Sequence, residues 1–389
     1  MKKNILVRVL SMTAILGISL AVSGCSKTNA GEENQAQMAP ISTWEPIPVE
    51  TPTPEPEPTP EEEVEEVVEG CYRSELTNEW IDENLEEQRP LAVMVDNERS
   101  ALPHFGVNAC DVVYEIMNST ENDRVTRLMC VVKDYENIEQ LGSIRSTRPT
   151  NFMLAGEYDA ILIHDGGPFY NKEYYNKPYV NNLSGGFARF INGKALEFTE
   201  YVTPNEYTNT KGRKYDGVLA RIEEAKYSRT YTENYSGPHF VFSNDDYSLS
   251  DQYSNSQTAT YVQLPMKHNG SELKYNAETK TYDYYTYGNP HVDALYNDEQ
   301  TTFKNVIVYS CGFAQLDANG YLIYNVIGSG LDGWYLTDGE AIPIYWSKDG
   351  ENAITQFKSV ETQEDITLNT GKTYIAIVPD DSWESLVLN

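Results

Sequence analysis

The sequence predicts an α/β N-terminal domain with a mixed, partly parallel sheet, followed by a mostly antiparallel β C-terminal domain. Three observations lead there. Strand-like and helix-like text alternates up to about residue 235. Beyond it Tyr, Thr and Val dominate, with turns at short intervals. Ahead of both lies a stretch that cannot build a core.

That stretch begins with a leader. Lys2, Lys3 and Arg8 precede an apolar run from Val9 to Val22, closed by Ser23-Gly24-Cys25. The run is too short to cross a membrane and stay, so residues 1–24 read as a secretory signal. The cysteine directly after Ser-Gly resembles a bacterial lipobox. That likeness implies lipidation of Cys25, which would become the new N-terminus on the extracytoplasmic face of the cell membrane. Residues 25–70 read as a disordered tether. From Glu45 to Glu69 there are ten Glu and seven Pro with no Lys or Arg. Proline fixes φ and removes a donor, and the carboxylates repel one another, so the segment stays extended and solvated. At about 3.1 Å per residue, Glu45 to Pro60 spans roughly 50 Å.

The formal net charge of −30 makes the chain a poor candidate for nucleic acid, whose binding needs clustered Lys and Arg against phosphate. Cys71, Cys110, Cys130 and Cys311 are far apart without a CxxC, so no zinc site or redox pair is indicated. Only Cys110 with Cys130 is a candidate bridge, and buried free thiols are the alternative. The five histidines show no HExxH or HxH spacing, and no metal or cofactor is expected.

Residues 71–235 contain the first domain. Arg89–Asn97, Asp111–Met117, Thr126–Val132 and Asp159–His164 read as strands, and Ser146–Tyr158 as a helix by its apolar spacing. Residues 236–389 contain the second, with strands at HFVF, TATYVQL, TYDYYTY, NVIVYS, YLIYNVI, GWYLT, AIPIYWS and KTYIAIV. Gly328-Ser329-Gly330 reads as a turn between two of them.

The strings RPLAVMVDN, DVVYE, TRLM, GSIRSTRP and EYDAILIHDGG resemble the N-terminal domain of the YerB-like lipoproteins. GNPHVD, KNVIVYS, IGSG, AIPIYWSK and LNTGKTYIAIV resemble that family's C-terminal domain, in the same order. The resemblance implies a two-part architecture and a lipid anchor, and brings no settled chemistry. This chain departs from the family pattern at Thr203-Pro204-Asn205-Glu206-Tyr207, which lacks a His, and at Tyr284–Tyr287, which lacks an Arg.

Candidate site residues follow from position. Asp96, Glu115 and His164 stand at or near strand ends, where open sheets bind ligands, and are candidate acid–base groups. Asn97 and Arg127 adjoin them. Arg145 and Arg148, three apart, either share a helix face and clamp a carboxylate or phosphate, or pair with Asp96, Glu115 or Asp159. His291 and Asp293 in GNPHVD are candidate ligand contacts or turn stabilisers. Two functions compete. One is a surface lipoprotein binding an anionic or glycan-like envelope ligand, or an envelope partner protein. The other is a cell-wall enzyme, a peptidoglycan hydrolase or lyase, working through a carboxylate/His/Arg cleft.

Overall fold

The computed structural model describes residues 68–389, which form one compact unit. The leader, Cys25 and nearly all of the Pro/Glu-rich tether lie outside the described residues. Among the described residues no helix is long and apolar enough to cross a membrane.

The principal strands are β1 (Leu91–Asp96), β2 (Val112–Met117), β3 (Thr126–Val132), β4 (Ile161–His164), β5 (Asn181–Ser184), β6 (Asn305–Cys311), β7 (Gly328–Thr337), β8 (Glu340–Lys348) and β9 (Thr373–Pro379). They run in the order β8-β7-β6-β9-β2-β3-β1-β4-β5 through one eleven-stranded mixed sheet, with Gln257–Thr258 and Gln356–Ser359 pairing on β8. β6, β9 and β2 are mutually parallel, as are β1, β4 and β5, whereas β3 runs antiparallel to both its neighbours. The protein is thus strand-rich, with a large mixed sheet and few helices.

Strands from both sides of residue 236 share this sheet, because β9 lies between β6 and β2. Every residue of β1, β2, β3 and β9 is buried. Burial on both faces is why these segments read as unbroken apolar runs rather than alternating ones. One face packs on a six-stranded antiparallel sheet that includes Thr281–Thr286, whose alternating burial shows its outer face open to water. The other face is covered by helix α1 (Pro149–Gly156) and by residues near Phe240, Leu249, Tyr324 and Leu368.

Two expectations change. The helix predicted over Ser146–Tyr158 is only α1, because a residue before proline disfavours the helical basin and Arg148 sits at φ −127°, ψ 165°. Residues 144–147 instead run extended beside the main sheet: Ile144 bridges Val95, Arg145 N–H donates to the Met94 carbonyl and Thr147 N–H to that of Gly166. Gly142 precedes this segment at φ +145°, where a Cβ would come within 2.9 Å of the Ile144 nitrogen. The second change is at Gly328-Ser329-Gly330, which opens β7 and pairs with Lys348, Ser347 and Trp346 of β8 instead of turning.

Candidate functional site

Strand alternation separates the expected acid–base residues. Asp96 has the parity of Ala92 and Met94, whose side chains join the core on the α1 face. Glu115 has the parity of Val113, which packs under the six-stranded sheet. Successive strand residues point to opposite faces, so the two carboxylates lie on opposite sides of the main sheet. Both are fully buried. The expected common mouth for Asp96, Glu115 and His164 is not formed, and neither is the open two-carboxylate cleft that glycosidic cleavage needs.

Asp96 instead anchors arginines. Its partner across the β1–β3 pairing is Arg127, whose Nη1 is 3.2 Å from Oδ1, and Arg145 Nε is 2.7 Å from Oδ2. Glu98 adds contacts to both, at 3.2 Å and 3.9 Å, and Glu197 meets Arg145 at 3.1 Å. Arg127 and Arg145 are therefore neutralised within the fold. Arg148 is not. It is 6 % exposed and lies 4.7 Å from the Tyr321 ring centroid, and no carboxylate pairs with it among the described residues. Its Nε donates to the Asn118 carbonyl at 2.7 Å and its Nη1 to the Thr147 carbonyl at 2.9 Å. Burial, and then the charges of Arg127 and Arg145, pull its pKa down to about 10, so it stays cationic at neutral pH. Both Arg145 and Arg148 stand ahead of α1, in the extended segment, not on a helix face.

Glu115 has no cation. It accepts hydrogen bonds from Asn97 Nδ2 (3.1 Å), Thr126 Oγ1 (2.8 Å), Asn269 Nδ2 (2.7 Å), Ser271 Oγ (2.8 Å), Tyr284 Oη (2.8 Å) and Tyr374 Oη. Burial first, and then the Glu115 charge, push both tyrosine hydroxyls well above their usual range. Asn97 belongs to this buried box. His164, also buried, contacts the Gly166 carbonyl at 2.8 Å and Asn182 at 3.1 Å, and burial lowers its pKa. It pairs with neither Asp96 nor Glu115.

Asp293 accepts from the backbone N–H groups of Gly106 (2.9 Å), Asn108 (2.8 Å) and Leu295 (2.9 Å), which pins the 106–108 turn. His291 Nε2 lies 2.8 Å from His104 Nδ1, and His104 Nε2 donates to the Asp96 carbonyl at 2.5 Å. Both rings are buried, which pulls the His104 pKa down to about 4 and that of His291 well below its usual value. These two GNPHVD residues join the halves of the chain internally. Cys71, Cys110, Cys130 and Cys311 carry free thiols, and burial raises the Cys110 thiol well above its usual range.

Pro149, next to Arg148, lines a hollow of 330 Å³ with Phe169, Tyr170, Lys172, Glu173, Tyr174, Leu316 and Ile323. Phe169 is 73 % exposed there. Sequence reasoning missed Phe169, Tyr170 and Tyr321. A Pro168-Phe169-Tyr170 run directly after the Gly166-Gly167 turn was the available signal. It also missed a fully buried ionic group in which Glu157 meets Lys348 at 2.9 Å and His239 Nε2 at 2.6 Å. Lys348 shares the inward parity of Ile344 and Trp346 in β8, an unusual place for a lysine. Among the described residues no group of three or more His, Cys, Asp or Glu could hold a metal ion.

Comparison with known proteins agrees with this architecture. Residues 76–228 match the family described as protein of unknown function (DUF3048), N-terminal domain, and residues 262–375 match the DUF3048 C-terminal domain. A Bacillus subtilis (strain 168) protein named "Putative lipoprotein YerB" is 23% identical over 324 residues, or 79% of this chain and 86% of that protein. A crystal structure of YerB from Bacillus subtilis aligns with a TM-score of 0.65 at 18% identity, across 82% of this chain and 99% of that one. At that identity the likeness concerns the fold. With both domains matched in order, the chain belongs to the DUF3048 family of YerB-like proteins.

Proposed function

We propose that this chain is a lipoprotein held through Cys25 on the extracytoplasmic face of the cell membrane, where the mouth beside Arg148 binds an anionic or glycan-like ligand of the envelope. The anchor is supported by the leader pattern ending in Ser23-Gly24-Cys25 and by the name of the Bacillus subtilis relative. Replacing Cys25 with Ser should move the protein from the membrane fraction to the soluble one. Continued membrane association of that variant would refute the anchor.

The binding reading rests on one observation. Arg148 is a nearly buried guanidinium without a carboxylate, and the neighbouring hollow presents the exposed ring of Phe169 beside the half-buried Tyr170. Aromatic faces stack on the apolar faces of sugars, and Arg148 Nη2, outside the hydrogen bonds that hold Nε and Nη1, leaves a charged donor for a ligand oxygen. The hollow's volume of 330 Å³ falls in the size range of small-ligand sites. The enzyme reading loses its support, because Asp96, Glu115 and His164 share no cleft.

The test is incubation of the purified protein with purified cell wall, followed by mass spectrometry of the supernatant. The protein should be retained on the wall with no fragments released. Phe169→Ala should weaken retention about tenfold, equivalent to about 1.4 kcal/mol, without a change in melting temperature, because the ring is exposed. Release of wall fragments would replace binding by catalysis, and equal retention of the variant would remove this site.

A further inference from the structure

We infer that a second site, a basic hollow between two hairpin loops, binds a phosphate group carried on a glycerol- or sugar-sized body. One hairpin pairs Ala188–Arg189 with Glu200–Val202, and the other pairs Tyr207–Thr208 with Lys214–Tyr215. Their loops enclose 430 Å³. Arg189, Lys194, Lys211 and Arg213 all line this space, and no Asp or Glu does. In a chain of net charge −30, four cations converging on one hollow is a local reversal of the surface.

The neighbouring carboxylates do not cancel it. Glu200 and Asp165 neutralise Arg189, at 2.5 Å and 3.2 Å. Glu197 turns away to Arg145 at 3.1 Å, and Glu206 pairs with Lys214 at 2.9 Å outside the lining. Lys194 Nζ donates to the Ala101 and Leu102 carbonyls at 2.7 Å and 2.9 Å, which fixes its position without removing its charge. Among the described residues Lys194, Lys211 and Arg213 have no carboxylate partner. Three uncompensated positive charges match a phosphate, which carries up to two negative charges, better than a single carboxylate.

The turn that carries Lys211 and Arg213 is also held in advance. Asn209 Oδ1 accepts from the backbone N–H groups of Lys211 (3.0 Å) and Arg213 (3.1 Å), closing the turn on itself. Arg213 is steadied over the Tyr215 ring at 5.0 Å. Ordering the turn before binding lowers the entropy lost on capture. The volume exceeds that of a bare phosphate, and Ile191 and Leu196, both exposed apolar residues lining the same hollow, suit a carbon-bearing body. This inference does not rest on the Arg148 site.

Calorimetric titration of the full chain with sn-glycerol 3-phosphate should show saturable binding, weakened about tenfold in Arg213→Gln and in Lys211→Gln. Lys214→Gln removes the same charge from the same hairpin outside the lining and should leave the affinity unchanged. All three side chains are exposed, so folding is not at issue. Co-sedimentation with phosphatidylcholine vesicles, with and without phosphatidylglycerol, separates the sources. Binding to the anionic vesicles alone, lost in Arg213→Gln, assigns the phosphate to a lipid headgroup. Absence of binding to both probes, or equal weakening by Lys214→Gln, overturns the proposal.

Discussion

Replacing Glu115 with Ala should destabilise the protein by about 4 kcal/mol or more in denaturant unfolding, a loss that point substitutions rarely reach. The reason is the number of donors that its carboxylate satisfies. Asn97, Thr126, Asn269, Ser271, Tyr284 and Tyr374 all aim at it from the space between the main sheet and the six-stranded sheet. Water cannot replace it for free, because a buried donor left unpaired costs about 1–3 kcal/mol. Part of that cost is recovered as Tyr284 and Ser271 turn to each other, already 3.2 Å apart. Glu115→Gln keeps one oxygen acceptor but sets an NH₂ against donors, and should fall about midway. A loss below about 1 kcal/mol for Glu115→Ala would show that the box does not organise the interlayer.

The second large effect concerns the ionic group beneath α1. Burial alone would raise the Glu157 pKa, yet the Lys348 ammonium and the His239 hydrogen bond outweigh it and hold the carboxyl down to about 2. A folded-state pKa below the unfolded value favours the native state wherever the unfolded carboxylate is already ionised. The contribution is therefore complete above pH 4.5 and is lost as pH falls towards 2. Its size is on the order of 3 kcal/mol. Lys348→Met leaves a buried carboxylate without its cation and should cost about 3–5 kcal/mol at neutral pH. The same variant should flatten the acid limb of the stability curve, since the group that holds the carboxylate ionised is gone. Adding Glu157→Gln should recover much of the loss, because a buried pair removed together costs far less than either partner alone. An unchanged acid limb in Lys348→Met would mean that another group sets it.

Neither cluster was legible in the sequence, and the reason is distance along the chain. Glu115 draws its donors from residues 97 to 374, and Glu157 meets Lys348 across 191 positions. Periodicity reports which face a residue uses and nothing about what that face meets. The apolar strands themselves were legible, since β1, β2, β3 and β9 are buried on both sides and carry the unbroken runs that such burial demands. The site was half legible. Arg145 lies against Asp96 and Arg148 follows it, but Pro149 holds Arg148 extended and pairing with Met94 holds Arg145 so, and a one-residue change of parity sends Glu115 to the far face.

By itself, the order of residues determined the leader pattern, the acidic character, the positions of the main strands and the short motifs that carry the family likeness. Those properties are local: each is set within a dozen residues by dihedral preference, charge and alternation. Tertiary structure alone decided that β9, from the end of the chain, inserts beside β2, and that Arg127 and Arg145 are neutralised while Arg148 is not. It also decided that four cations from two hairpins line one hollow. Contacts between distant segments depend on strand order and on what packs over each face, and only the folded chain sets those.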